Sequence, residues 1–345
     1  MSTYDHAGRI SKQDFLYSSA SLLAICIIAA AARFWIRLKI QGEFSVDDGF
    51  LIFGLCCLIS GLAFLYTYMD DMMFVEGMVT GGASFFREVP DNWQQIAYRY
   101  QRNVATTCLL TWAAIASVKM SFLFFFKRLL DRMHSMLVYW YIVLAFSLAV
   151  SAYGFSVCIV PCPYFYDARS FQCGQGAKTK LTFDYAISQM ILDVTSDLMI
   201  LVIPVHILWR IRIRLMKKVA IGSSLCLTIV MIAVTIIRAS GIRQGSVIDS
   251  VWETYWQVMS AEVGLIMTSA TAFRTLFVAR NASLERQRVQ NQPRSNRNSR
   301  MCKINSEGAS PNQGLCLSNS NDNAWDVERG YEVDNLPAMV NFNRS

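Results

Sequence analysis

VATTCLLTWAAIASVKMSFLFFF, residues 104–126, runs directly into KRLLDRM, residues 127–133. The first stretch carries a single charge, Lys119, and matches the ~20 apolar residues that a helix needs to cross a bilayer. It lacks the period-two alternation of a barrel strand. The second stretch is basic, as expected just beyond a membrane-spanning helix on its cytoplasmic side. Six further runs read the same way: Tyr17–Ala32, Phe50–Met69, Leu137–Val160, Phe183–Trp209, Val219–Ile237 and Tyr255–Val278. The fold expected is therefore all-α, a polytopic bundle of seven transmembrane helices.

Composition agrees with this reading. Across 345 residues, 54% are apolar or aromatic and 17% are charged, whereas soluble domains average about 25% charged. Soluble globular, collagen-like and disulfide-scaffold classes are excluded. The stretch 281–345 is different, rich in Asn, Ser and Arg and without apolar periodicity, and reads as a disordered tail. Three regions follow: a short extracellular N-terminus (1–16), the seven-helix domain (17–280) and a cytoplasmic tail (281–345). The start is too polar and short for a cleaved signal peptide, so the first helix is expected to direct insertion.

Basic residues set the orientation. They gather at Arg33, Arg37 and Lys39, at Lys127, Arg128 and Arg132, and at Arg210, Arg212, Arg214, Lys217 and Lys218. The intervening segment Asp70–Asn103 has more acids than bases and reads as an outer loop. The N-terminus is then outside and the C-terminus cytoplasmic. The net charge of +7 is spread over membrane-flanking loops, so nucleic acid is not an expected partner. The bilayer is.

Among the ten cysteines, Cys26, Cys56, Cys57 and Cys226 lie in apolar runs and Cys302 and Cys316 in the tail. Cys108, Cys158, Cys162 and Cys173 lie at or near the outer face, where disulfides form. Cys162 and Cys173 enclose a short loop in CIVPCPYFYDARSFQC (158–173), and Cys108 sits near the outer end of the third helix. A disulfide involving Cys108, Cys162 or Cys173 is expected. The partner of Cys108 stays open, because spacing does not fix connectivity.

Ionisable residues at membrane depth are costly and mark either function or a structural lock. Lys119, Asp193, Asp197 and Glu262 are the four such residues singled out. Asp193 and Asp197 are four apart and share a helix face that Gln189 extends outward. At 1.5 Å per residue, Lys119 lies roughly 12 Å and Asp197 roughly 18 Å from the inner ends of their helices. An ion pair between them is expected; the alternative is a lysine that snorkels to the inner headgroups. Asp47 and Asp48 open the second helix, where acids cap free N–H groups and suit the positive dipole end. Pairing with Arg33 or Arg37 is compatible with that role. Pro204 is expected to kink the fifth helix.

Several chemistries lack their residues. His6, His134 and His206 are scattered, no G-x-S-x-G elbow or phosphate-binding GK[ST] loop is present, and no metal or cofactor is expected. A retinal Schiff base needs a lysine in the last helix, yet none occurs between Lys218 and Lys303. No enzymatic activity is expected.

The chain resembles the fungal rhodopsin-domain family of integral membrane proteins over roughly residues 15–280. The resemblance rests on RFWIRLKI (33–40) before Asp47–Asp48, on VKMSFLFFFKRL (118–129), and on Cys162–Pro163 with Cys173. It continues through Asp197 before Pro204, then Trp209, Lys218 and Gly222, Arg238, and Ser260, Glu262 and Arg274. Asp193 stands where the family usually has Asn, and Thr271 and Thr275 where prolines are usual. The resemblance implies a receptor-like membrane protein, in the plasma membrane, that senses a small molecule or surface cue and acts through a cytoplasmic partner. The alternative is a transporter or permeability protein, tied to secondary-metabolite export.

Overall fold

The computed structural model describes residues 9–41, 45–80, 92–130, 134–160, 177–210, 215–241, 243–244 and 247–290. Among these, seven α-helices follow in order: α1 (Lys12–Ile36), α2 (Val46–Thr80), α3 (Trp93–Leu130), α4 (His134–Val157), α5 (Ala177–Arg210), α6 (Leu215–Gly241) and α7 (Ser250–Gln290). A π-helical turn, Arg37–Gln41, extends α1, and a two-residue antiparallel ladder, Arg243–Gln244 with Val247–Ile248, joins α6 to α7. Helices α1 to α5 are long and apolar enough to cross a bilayer, and α6 has a shorter apolar stretch, Thr228–Gly241. Residues 1–275 form one compact unit, and Leu276–Ser345 a second, of which the helical run to Gln290 is described. Helix α7 thus runs past the expected boundary at residue 280, and residues 291–345 lie outside the described residues.

Neighbouring helices alternate in direction. One end of the bundle carries Arg33, Asp47 and Lys127 and is called the basic end; the other carries Lys12, Asp70 and Cys158. Large apolar side chains such as Ile28, Phe53, Ile142, Ile191 and Ile236 are exposed on the outside. In water this would be an aggregation surface, whereas in a bilayer it is the lipid-facing one. The protein is a multi-pass membrane protein.

Helix α3 is the centre. In its most apolar stretch 67% of residues are buried inside the bundle, against 22–39% for α1, α2, α4 and α5. Its close neighbours approach through small residues. A Cβ on Gly54 of α2 would overlap the Ser117 hydroxyl, and one on Gly154 of α4 would overlap the Trp112 indole. Small residues let helix backbones approach in a medium where apolar attraction between helices is weak. Two tryptophans staple α3 to α4 reciprocally: Trp112 Nε1 donates to Ser151 O at 3.1 Å and Trp140 Nε1 to Leu123 O at 2.7 Å. Helix α7 closes against α3 and α6 where Gly264 meets Val118 and Met231.

The segment Asp70–Asn103, expected as an outer loop, is largely helix: α2 continues to Thr80 and α3 starts at Trp93. The charges that lower its hydropathy pair between helices. Arg99 grips Asp71 bidentately at 2.8 and 2.9 Å, and Lys12 pairs with Asp70. Residues 81–91 lie outside the described residues. Pro204 lies inside α5.

Candidate functional site: two buried charge networks

Lys119 projects from α3 towards α5 and is buried, so it does not snorkel. Its Nζ lies 2.7 Å from Asp197 Oδ1, the expected pair, and equally 2.7 Å from Asp193 Oδ1. A third bond reaches the Asp193 carbonyl at 3.1 Å. Both aspartates are buried. One ammonium thus serves two carboxylates a helical turn apart, using all three of its donors.

The pairing leaves residue. Asp197 Oδ2 has no hydrogen-bond partner. Asp197 also lines a small cavity formed by Val118, Lys119 and Phe122 of α3, Ile200 of α5, and Thr228 and Met231 of α6. One turn outward from Asp193 on the same face, Gln189 is buried with both amide atoms unpartnered. The α5 face 189–193–197 is therefore a polar column inside an apolar bundle, half satisfied, with space beside its innermost member.

Glu262 does not join this network. It is fully buried on α7, and neither carboxyl oxygen has a partner. Of the four intramembrane residues, the structure assembles three.

The second network is at the basic end. Arg33 Nε donates to Asp48 Oδ1 at 2.9 Å, one terminal nitrogen to Asp47 Oδ2 at 2.5 Å and the other to Thr268 O at 2.5 Å. Arg37 adds a bond to Asp47 Oδ2 at 2.7 Å. Asp48 Oδ2 accepts from Ser45 N at 3.3 Å, half of a capping box at the start of α2. Ser121 of α3 donates to Asp47 O at 3.0 Å. Both readings of the acidic pair hold together: Asp48 caps its helix, and the two acids bind both arginines. Four helices, α1, α2, α3 and α7, meet in one buried, charge-balanced cluster.

At the opposite end sequence reasoning missed a third set of contacts. Arg238 of α6 pairs with Glu253 of α7 at 3.0 Å. Gln257 Nε2 of α7 donates to Thr111 Oγ1 at 2.8 Å and to Cys108 O at 3.1 Å. For Cys108, whose partner spacing leaves open, the structure supplies a neighbour. Cys108 faces Cys158, just past the end of α4, with the two Sγ atoms 2.6 Å apart. Cys162 and Cys173 lie outside the described residues. Among the described residues no group of three or more His, Cys, Asp or Glu is placed to hold a metal ion.

The fungal rhodopsin domain matches residues 32–279. The chain belongs to the fungal rhodopsin domain family. That match takes in Arg33, Arg37, Asp47–Asp48, Lys119, Asp193, Asp197 and Glu262, so both networks lie within the family's domain. No curated protein and no solved structure matches the chain. Within that match no lysine occurs after Lys218.

Proposed function

We propose that this fungal rhodopsin-domain protein is a receptor-like sensor of the plasma membrane without enzymatic activity. Its outer end, opposite the basic loops, takes up a small molecule or surface cue, and its basic end and tail meet a cytoplasmic partner. The N-terminus is then outside and the tail inside.

One observation carries the reading. Lys119, shared between two carboxylates, sits on the same helix as Ser121, which holds the basic-end cluster. Helix α3 therefore touches both networks, and an overfilled ion pair with an unpartnered oxygen beside a cavity has more than one workable arrangement. Such a two-state element is what a sensor needs to link one end of a bundle to the other.

A transporter is the second reading, favoured by the polar column Gln189–Asp193–Asp197 and its unpartnered atoms. Proteoliposomes loaded with a pH-sensitive dye and given an imposed proton gradient separate the two. The sensor reading expects no proton flux attributable to these residues. A flux that Asp197→Asn abolishes would replace it with transport. Amide hydrogen exchange in nanodiscs supplies the positive test: Lys119→Gln should raise exchange at the start of α2 as well as around residue 119. Exchange confined to α3 and α5 would sever the proposed link.

A further inference from the structure

We infer that Cys108 and Cys158 form a disulfide that fixes α3 to the outer end of α4. Helix register brings the two cysteines together. Cys108 and Trp112 are one turn apart on α3, and Gly154 and Cys158 are one turn apart on α4. The helices run antiparallel, so Trp112 against Gly154 places Cys108 against Cys158. The first contact is tightly specified: only a glycine leaves room for the Trp112 ring, and the ring nitrogen is held by Ser151 O at 3.1 Å. The second follows one turn further out, where the Sγ atoms of the two free thiols lie 2.6 Å apart.

The surroundings suit a fixed cross-link. The Gln257 amide holds the Cys108 carbonyl at 3.1 Å and Thr111 Oγ1 at 2.8 Å, which sets α7 against the same turn of α3. A bond here ties α3 to α4 at a point where α7 already grips it. It also assigns the partner that spacing left open and excludes a bridge from Cys108 to the loop cysteines.

In the reaction two thiols lose two protons and two electrons as one S–S bond forms. Both electrons pass by thiol–disulfide exchange to a disulfide-form oxidant of the secretory lumen, which leaves as a dithiol. The inference rests on the orientation proposed above, which puts this end on the oxidising side of the membrane.

Peptide mapping of the full-length protein tests the inference. The protein is made in a eukaryotic membrane, blocked with N-ethylmaleimide before solubilisation, and digested without reduction. The expected result is a linked pair of peptides containing Cys108 and Cys158, unchanged in a Cys162→Ser/Cys173→Ser variant and absent after reduction. Cys158→Ser should make Cys108 alkylable. Alkylation of Cys108 in the unreduced wild type, or its linkage to Cys162 or Cys173, overturns the inference. A glycosylation acceptor placed in the segment after Val160 separates the causes of failure. If it is glycosylated while Cys108 is free, the pairing is wrong; if it is not, the orientation is wrong and the disulfide falls with it.

Discussion

Replacing Lys119 by methionine should destabilise the bundle far more than replacing either of its aspartate partners. Lys119→Met removes the positive charge that, among the described residues, pairs with Asp193 and Asp197, each held at 2.7 Å, and leaves two carboxylates a turn apart in a buried site. Removing one member of a buried pair costs about 3–5 kcal/mol, because the other charge loses its compensation. Here two charges lose it, so the upper half of that range is the expectation. Asp193→Asn or Asp197→Asn does the reverse. Each leaves Lys119 with one carboxylate and turns two acids per base into one, and the amide oxygen still accepts from the ammonium. Each should cost about 1 kcal/mol, the scale of an ordinary hydrogen bond. Thermal unfolding in detergent reads the difference, at roughly 2–4 °C per kcal/mol. Lys119→Met should lower the midpoint by about 10 °C or more and either asparagine variant by only about 2–4 °C. A double-mutant cycle of Lys119→Met with Asp197→Asn isolates the coupling, which should exceed about 1 kcal/mol. Equal losses in the lysine and aspartate single variants, or additive losses in the cycle, would refute the charge accounting.

The other expectations rest on different contacts. Arg33→Lys keeps the charge but cannot reach Asp47, Asp48 and Thr268 O together, so it should lose about 2–3 kcal/mol of stability, and Arg37→Lys clearly less; midpoints in nanodiscs rank the two, and a reversed order would count against Arg33 as the hub. Gly154→Val should be among the most damaging small-to-larger changes, at about 1–3 kcal/mol or more, since its side chain meets the Trp112 ring. Trp112→Phe, which loses chiefly the bond to Ser151 O, should be milder, and equal yields of folded protein would argue against the α3–α4 register. Glu262→Gln should be neutral or stabilising, because neither oxygen of Glu262 has a partner to lose; a loss beyond about 1 kcal/mol in the same assay would reveal an interaction with a polar group.

Depth along a membrane helix is legible in a sequence, whereas rotation about the helix axis is much less so. Hydropathy fixes where a span starts, and 1.5 Å per residue then ranks its polar residues by depth. This was enough to bring Lys119 to the level of Asp197, and the lysine arm is long enough to take in Asp193 one turn away. Depth alone also grouped Glu262 with them, and there it failed. Glu262 is buried on α7 with both oxygens unpartnered, and nothing in the helix's mixed polar and apolar sequence shows which face meets which neighbour. Arg33 and Arg37 were easier, because they and Asp47–Asp48 sit at the facing ends of consecutive helices, where a short connection leaves little choice. The ends of α2 and α3 misled for a different reason. Hydropathy falls at Asp70 and Asp71, but a helix continues past charges when the next helix pairs them, as Arg99 does. The Cys108–Cys158 contact was hidden because it follows from a glycine–tryptophan fit, a matter of shape that spacing does not encode.

The two networks differ in how readily they can be rearranged, and under the proposed sensor function that difference gives them different parts. The basic-end cluster balances Arg33 and Arg37 against Asp47 and Asp48 and adds a carbonyl from α7 and a hydroxyl from α3. Breaking it exposes buried charge on several helices at once. A ligand moves a two-state equilibrium from about 1:99 to 99:1 only with roughly 5.5 kcal/mol of differential affinity. Two buried pairs at about 3–5 kcal/mol each would use more than that. The Lys119 site asks for less, because its ammonium touches both Asp193 and Asp197 and would keep one carboxylate on leaving the other. Its cavity and the unpartnered Asp197 oxygen leave room for that shift. The basic-end cluster therefore ties α1, α2, α3 and α7 together, and in the proposed sensor the α3–α5 contact would be the part that a cue moves.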